Sequence, residues 1–185
     1  GNYKCWLPTI VSKVNAQDPF LVHDWETSQK LSSKPVKITL PGPMTIADTI
    51  ANTYYNSKDK MGFDLAEVIN VEIKRLKNAG CKYIQVDEPL FARKPQDAID
   101  FGINNLAKCF EGIENETVEK ITHICCGYPD KLDAINYPKA PLNSYHQIAS
   151  LLNQSIIDTV SLEDAHCYND LTLLEKFSDT KIILG

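Results

Sequence analysis

His123 and Cys125 stand two residues apart in Lys120-Ile121-Thr122-His123-Ile124-Cys125-Cys126-Gly127, a run whose front half reads as a buried strand. Side chains at i and i+2 of a strand point to the same side, so the imidazole and the thiol can share one ligand. That pair suits zinc better than other common metals. Both residue types also occur as ordinary core residues, and His-x-Cys alone is a weak signal. Glu163 closes a second apolar run, Ile157-Asp158-Thr159-Val160-Ser161-Leu162. With it the set becomes imidazole, thiolate and carboxylate, one short of the four ligands zinc prefers. A position left for a substrate thiol or water makes such a site catalytic. Zinc lowers the pKa of a bound thiol enough for it to bind as thiolate at neutral pH, a route to a sulfur nucleophile that attacks an alkyl group. Glu163 can equally be an N-cap, a role open also to Asp164.

Asp87 and Glu88 end the strand Cys81-Lys82-Tyr83-Ile84-Gln85-Val86, with Pro89 directly after. Carboxylates there either cap the next loop or hold a cation, such as a substrate ammonium, by a charge-assisted hydrogen bond. Cys126 is expected on the side opposite Cys125, in packing. His166 and Cys167 can supply a further ligand but read first as solvated loop positions. Cys5, Cys81 and Cys109 read as structural, and His23 and His146 are isolated.

The elements that must hold these groups alternate along the chain. Strands are expected over 8–14, 36–40, 82–86, 120–124 and 157–162, with a sixth at the end. Between them lie a short helix near 24–30 and a long one carrying Leu65, Val68, Ile69, Ile73 and Leu76 at helical spacing, stopped by Gly80. Further helices are expected around 95–110, 142–152 and 170–177. Pro41-Gly42-Pro43 reads as a shaped loop. Short links and no hairpin signals argue a parallel sheet in an α/β fold.

No glycine-rich phosphate loop follows the first strand, as an open doubly wound sheet would usually have. Three successive strands instead end in Asp87-Glu88-Pro89, His123-Ile124-Cys125 and Glu163-Asp164, which matches the catalytic face of a (β/α)8 TIM barrel. A full barrel takes about 250 residues. Residues 1–185 are therefore expected to be a single catalytic barrel domain of about five to six βα units, lacking strands at both ends. Gly1 in place of methionine is expected to mark a cleaved tag or a cut through a longer chain.

Composition sets outer bounds. The chain is 43% hydrophobic and 23% charged, with a net charge of −5. That excludes a nucleic-acid binder built on a basic patch. No apolar run reaches membrane-span length, and no signal peptide heads the chain. Six cysteines without the dense spacing of a secreted scaffold fit a reducing cytoplasm.

Taken in order, Val36-Lys37-Ile38-Thr39-Leu40-Pro41-Gly42-Pro43-Met44-Thr45, Ile84-Gln85-Val86-Asp87-Glu88-Pro89, His123-Ile124-Cys125 and Ser161-Leu162-Glu163 resemble the catalytic barrel of the cobalamin-independent methionine synthase family. The phrase around Glu163 looks most like the short single-barrel branch. The resemblance implies zinc-dependent transfer of a methyl group to homocysteine, with methyltetrahydrofolate as default donor and methionine as product. Carried over by position, His123, Cys125 and Glu163 are zinc ligands. Asp87, with Glu88 beside it, binds the substrate amino group, and Pro41-Gly42-Pro43 shapes the donor side. The family's last zinc-binding cysteine belongs to a later strand, after Gly185. Its donor-side histidine and early homocysteine-binding strand also fall outside, so these 185 residues are expected to lack activity by themselves. Ala47-Asp48-Thr49 stands where the long form stacks a tryptophan on the pterin, which leaves the donor open. The rival readings are a related zinc thiol alkyltransferase using a methylcorrinoid or coenzyme M, and an inactive barrel fragment.

Overall fold

A computed structural model describes residues 6–113, 117–127, 137, 139–165 and 167–185. In chain order the elements are β1 (Thr9–Ile10), α1 (Val22–Lys30), β2 (Lys37–Pro41), α2 (Pro43–Thr49), β3 (Ala51–Asn52), α3 (Lys58–Ala79) and β4 (Tyr83–Asp87). They continue with α4 (Leu90–Arg93), α5 (Pro95–Asp97), a π-helical turn (Ala98–Gly102), α6 (Ile103–Cys109), β5 (Glu119–Ile124), α7 (Asn143–Asn153), β6 (Thr159–Leu162), a 3₁₀ turn (Leu171–Lys176) and β7 (Lys181–Leu184).

The main sheet runs β2-β4-β5-β6-β7, every pair parallel and every neighbour the next strand of the sheet in sequence. Steady progression in one direction with helical crossovers is the barrel pattern, here as a partial (β/α)8 barrel. Ile84, Val86, Ile124, Val160 and Leu162 point to one side, into a core shared with Ile69, Ile73 and Leu76 of α3 and with α6 and α7. Burying each such side chain is worth about 1.5–3 kcal/mol. The residues between them, including Tyr83, Asp87, His123, Ser161 and Ile183, lie on the opposite face, which is only partly covered. Gly80 ends α3 with φ +103, its N–H bonded to the carbonyls of Leu76 and Lys77. That left-handed cap is cheap only for glycine.

Several expected elements differ. The run 8–14 forms only the two-residue β1, paired with β3 outside the main sheet, and leaves Val11 71% exposed. Strand preference reflects packing against neighbours, and the only strand that pairs with this run among the described residues is the two-residue Ala51–Asn52. Pro41-Gly42-Pro43 is not a loop. Pro41 ends β2, Gly42 takes an extended conformation, and Pro43 opens α2 at its first position, where the lost N–H would have no helical partner. The helix expected over 95–110 is divided at the π-helical turn, and the one expected over 170–177 is a 3₁₀ turn. Among the described residues no helix is long and apolar enough to cross a membrane.

Candidate functional site

Pro41, Asp87, His123 and Ser161 are register partners across β2, β4, β5 and β6. Parallel partners share a face and lie about 4.8 Å apart along the sheet. Each of the four stands at or near the carboxyl end of its strand, where barrels assemble their chemistry. Asp87 and His123 are thus adjacent on the partly open face.

Asp87 is oriented from its own strand. Gln85 Nε2 donates to Asp87 Oδ1 at 2.7 Å, while Gln85 Oε1 accepts from Lys37 Nζ. The lysine fixes which end of the amide faces the carboxylate.

Glu88, expected beside Asp87 as a substrate contact, is 0% exposed and engaged elsewhere. Its Oε1 accepts from the Met44 N–H at 2.9 Å, and its Oε2 accepts from the Thr45 N–H and Oγ1 at 2.9 and 2.7 Å. The carboxylate therefore holds the first turn of α2, whose N–H groups lack helical partners. A Cβ on Gly42 would come 2.2 Å from Glu88 Cδ, so glycine there makes room for the clamp. Burial outweighs the three donors and pushes the Glu88 carboxyl up to about 7, with the Asp87 charge adding to the rise.

His123 Nδ1 lies 3.1 Å from Ser161 Oγ. The Cys125 thiol is buried in the turn that follows β5 and accepts the Gly127 N–H at 3.3 Å. Glu163 continues the ladder after β6, with its N–H on the Ile124 carbonyl at 3.1 Å. Tyr145 Oη donates to the Glu163 carbonyl at 3.4 Å.

Among the described residues, one set of three metal-ligating side chains has its ligand atoms within 4.8 Å of one another: Cys126, Glu163 and Cys167. His123 and Cys125, which the strand spacing pairs with Glu163, are not members of that set. Cys167 is 3% exposed rather than solvated. Its loop folds back because the Asp164 carbonyl accepts the N–H groups of Cys167 and Tyr168, and Asp164 Oδ1 accepts from the Asn169 N–H. The Asp164 and Ala165 N–H groups are in turn held by the Gly185 carbonyl. Burial pushes the thiols of Cys126 and Cys167 up, as it does the Tyr145 phenol. Cys5 and His166 lie outside the described residues. Thiols, imidazole and carboxylate at two adjacent strand ends are the donor types that zinc takes.

The sequence gives Ser161 no role of its own, assigns Cys126 to packing and reads Cys167 first as a solvated loop position. Ser161 is visible only once the register sets it opposite His123. The inward position of Cys167 is visible only once the backbone bonds of its loop are known.

A partial parallel barrel with carboxylate, imidazole and thiols at consecutive strand ends belongs to the barrels that carry function at the carboxyl face. The comparisons with known proteins narrow this. The family model described as "Cobalamin-independent synthase, Catalytic domain" matches residues 3–137, and the chain belongs to that family. The methionine synthase of Saccharolobus solfataricus is 32% identical over 176 residues, covering 94% of this chain and 47% of that protein. The methionine synthase of Sulfurisphaera tokodaii is 34% identical over 186 residues, covering 96% and 54%. Among solved structures, a B12-independent methionine synthase from Shewanella sp. W3-18-1 in complex with selenomethionine superposes with a TM-score of 0.84. That match has 32% identity and covers 97% of this chain and 52% of the other. A methyltransferase from Methanosarcina mazei, at 12% identity and a TM-score of 0.63 over 89% of this chain and 47% of that one, shares the fold. The chain spans about half the length of the curated relatives it matches.

Proposed function

We propose that this chain is a catalytic barrel domain, over residues 1–185, for metal-dependent transfer of a methyl group to the thiol of homocysteine. Methionine is the product and methyltetrahydrofolate the donor. The observation that carries the reading is the register row that sets Asp87 beside His123 at the strand ends, in a chain of this family. The selenomethionine in the Shewanella relative is the selenium analogue of the proposed product and supports a methionine-shaped pocket.

In this reading His123, Cys125 and Glu163 hold a zinc ion. When bound, the ion lowers the pKa of a thiol so that sulfur is nucleophilic at neutral pH. The rest falls to the chain. Asp87, held by Gln85, receives the substrate ammonium through a charge-assisted hydrogen bond. Ser161 fixes the His123 ring. Glu88 acts through α2, holding its first turn beside Pro41 on the donor side. As the sulfur–carbon bond forms, the bond between methyl carbon and donor nitrogen breaks, and the thiol proton ends on the departing amine. The substrates are small molecules, and the five described free thiols suit a reducing cytoplasm.

The test is zinc binding and homocysteine methylation by the complete protein that carries this barrel and by its His123→Ala and Cys125→Ser variants, with methyltetrahydrofolate and a methylcorrinoid as competing donors. The reading expects zinc-dependent methionine formation from the folate, abolished in both variants. Zinc affinity unchanged in both would overturn the ligand assignment, and methylation from the corrinoid alone would overturn the donor.

A further inference from the structure

The geometry points to a second cation seat, formed by Cys126, Glu163 and Cys167 and suited to a soft d10 ion of the zinc class. It does not depend on the methyl-transfer reading. The three ligand atoms already lie within 4.8 Å of one another, and Cys167 Sγ is 3.9 Å from Glu163 Oε2. Zinc bonds of about 2.3 Å to sulfur and 2.0–2.2 Å to oxygen set tetrahedral ligand atoms about 3.5–3.8 Å apart. Closing on an ion therefore asks for shifts of about 1 Å or less.

The seat is built by the fold. Cys126 follows β5, Glu163 follows the neighbouring β6, and the Glu163 N–H on the Ile124 carbonyl joins the two strand ends. Cys167 is returned over them by the Asp164-centred turn. Its thiol also meets Tyr145 Oη of α7 at 3.8 Å, and the same hydroxyl donates to the Glu163 carbonyl. A residue touching one ligand and the backbone of another is the kind of outer partner that orients ligands. Both sulfurs are buried, at 0% and 3% exposure, while Glu163 is half-buried and gives the ion its way in. Two thiolates and one carboxylate select zinc over magnesium or calcium, which take oxygen. A carboxylate has two oxygens, so Glu163 can serve this seat and the His123–Cys125 pair.

The experiment uses the whole chain and cadmium ion, whose bonds to thiolate absorb in the ultraviolet. In the His123→Ala/Cys125→Ser double variant, cadmium should still bind with the absorbance of two thiolates. Adding Cys126→Ser or Cys167→Ser should remove that signal and weaken binding beyond the about 10–100-fold that loss of an outer partner costs. No thiolate absorbance in the double variant, or absorbance untouched by Cys126→Ser and Cys167→Ser, would overturn the seat. Should the variants fail to fold, thiol alkylation of the unaltered chain saturated with zinc decides. Zinc that shields Cys126 and Cys167 from alkylation, mapped by peptide mass, supports the seat, and bound zinc that leaves both thiols as reactive as in the metal-free chain overturns it. Failure of the methyl-transfer reading shows separately, in a Cys126→Ser/Cys167→Ser chain that binds no zinc through His123 and Cys125.

Discussion

The Nδ1 atom of His123 lies 3.1 Å from the Oγ of Ser161, its register partner on the neighbouring strand. A hydroxyl can donate or accept, so Ser161 orients the ring in either tautomer and Nε2 is the nitrogen left for an ion. Ser161→Ala should weaken zinc binding about 10–100-fold, the usual cost of losing an outer partner. Thermal unfolding should change little, since the hydroxyl sits on a partly open face. Unchanged zinc affinity in calorimetry would remove Ser161 from the metal site.

Glu88→Gln should destabilise the protein by about 1–3 kcal/mol, because one oxygen that accepts an α2 N–H becomes an NH₂ group. Gly42→Ala attacks the same clamp from the other side, with its Cβ 2.2 Å from Glu88 Cδ, at a typical overpacking cost of about 1–3 kcal/mol. Since both changes break one contact, the double variant should lose less than the sum. Urea unfolding of the four proteins measures this, and strict additivity would mean the clamp is not shared.

These two positions also show what the sequence made legible and what it hid. The order of the sheet strands from Lys37–Pro41 onward follows from apolar runs bounded by helical spacing, and the structure has them so. Asp87 and Glu88 looked equivalent as neighbours at a strand end. Their separation depends on α2, which was hidden because proline on both sides of Gly42 reads as a break. In space, one proline ends a strand and the next begins a helix. The inward turn of Cys167 was hidden for another reason. It rests on the Gly185 carbonyl and Asp164, contacts that are distant in sequence or carried by backbone, and local periodicity reports neither.

Glu88 also gives stability a pH dependence of definite sign. Its carboxyl is raised from 4.5 to about 7 in the folded chain. Between those values the folded state holds a proton that the unfolded state has released, so stability falls as pH rises. The contribution is fully present below about 4.5 and gone above about 7, and amounts to a few kcal/mol at most, on the order of 3. The lowered carboxyls of Asp48 and Glu119 act in the opposite sense and at more acid pH. Urea midpoints from pH 4.5 to 7.5 should decline in the parent and be flatter in Glu88→Gln. Parallel profiles would show that Glu88 stays charged throughout.

Asp87 carries the substrate half of the proposal. Gln85 presents its NH₂ to Asp87 because its oxygen is taken by Lys37, so the carboxylate is held at the strand end beside His123. An ammonium placed there gains a hydrogen bond to a charged group, worth about 1.5–3 kcal/mol. Asp87→Asn keeps the shape and removes the charge, so KM for homocysteine should rise about 10–100-fold with kcat much less affected. Gln85→Leu leaves the charge but frees it to turn, and should raise KM by a smaller factor. Steady-state kinetics on the three proteins separates these effects. If Asp87→Asn lowers kcat and leaves KM in place, Asp87 takes part in the methyl-transfer step and does not anchor the amino group.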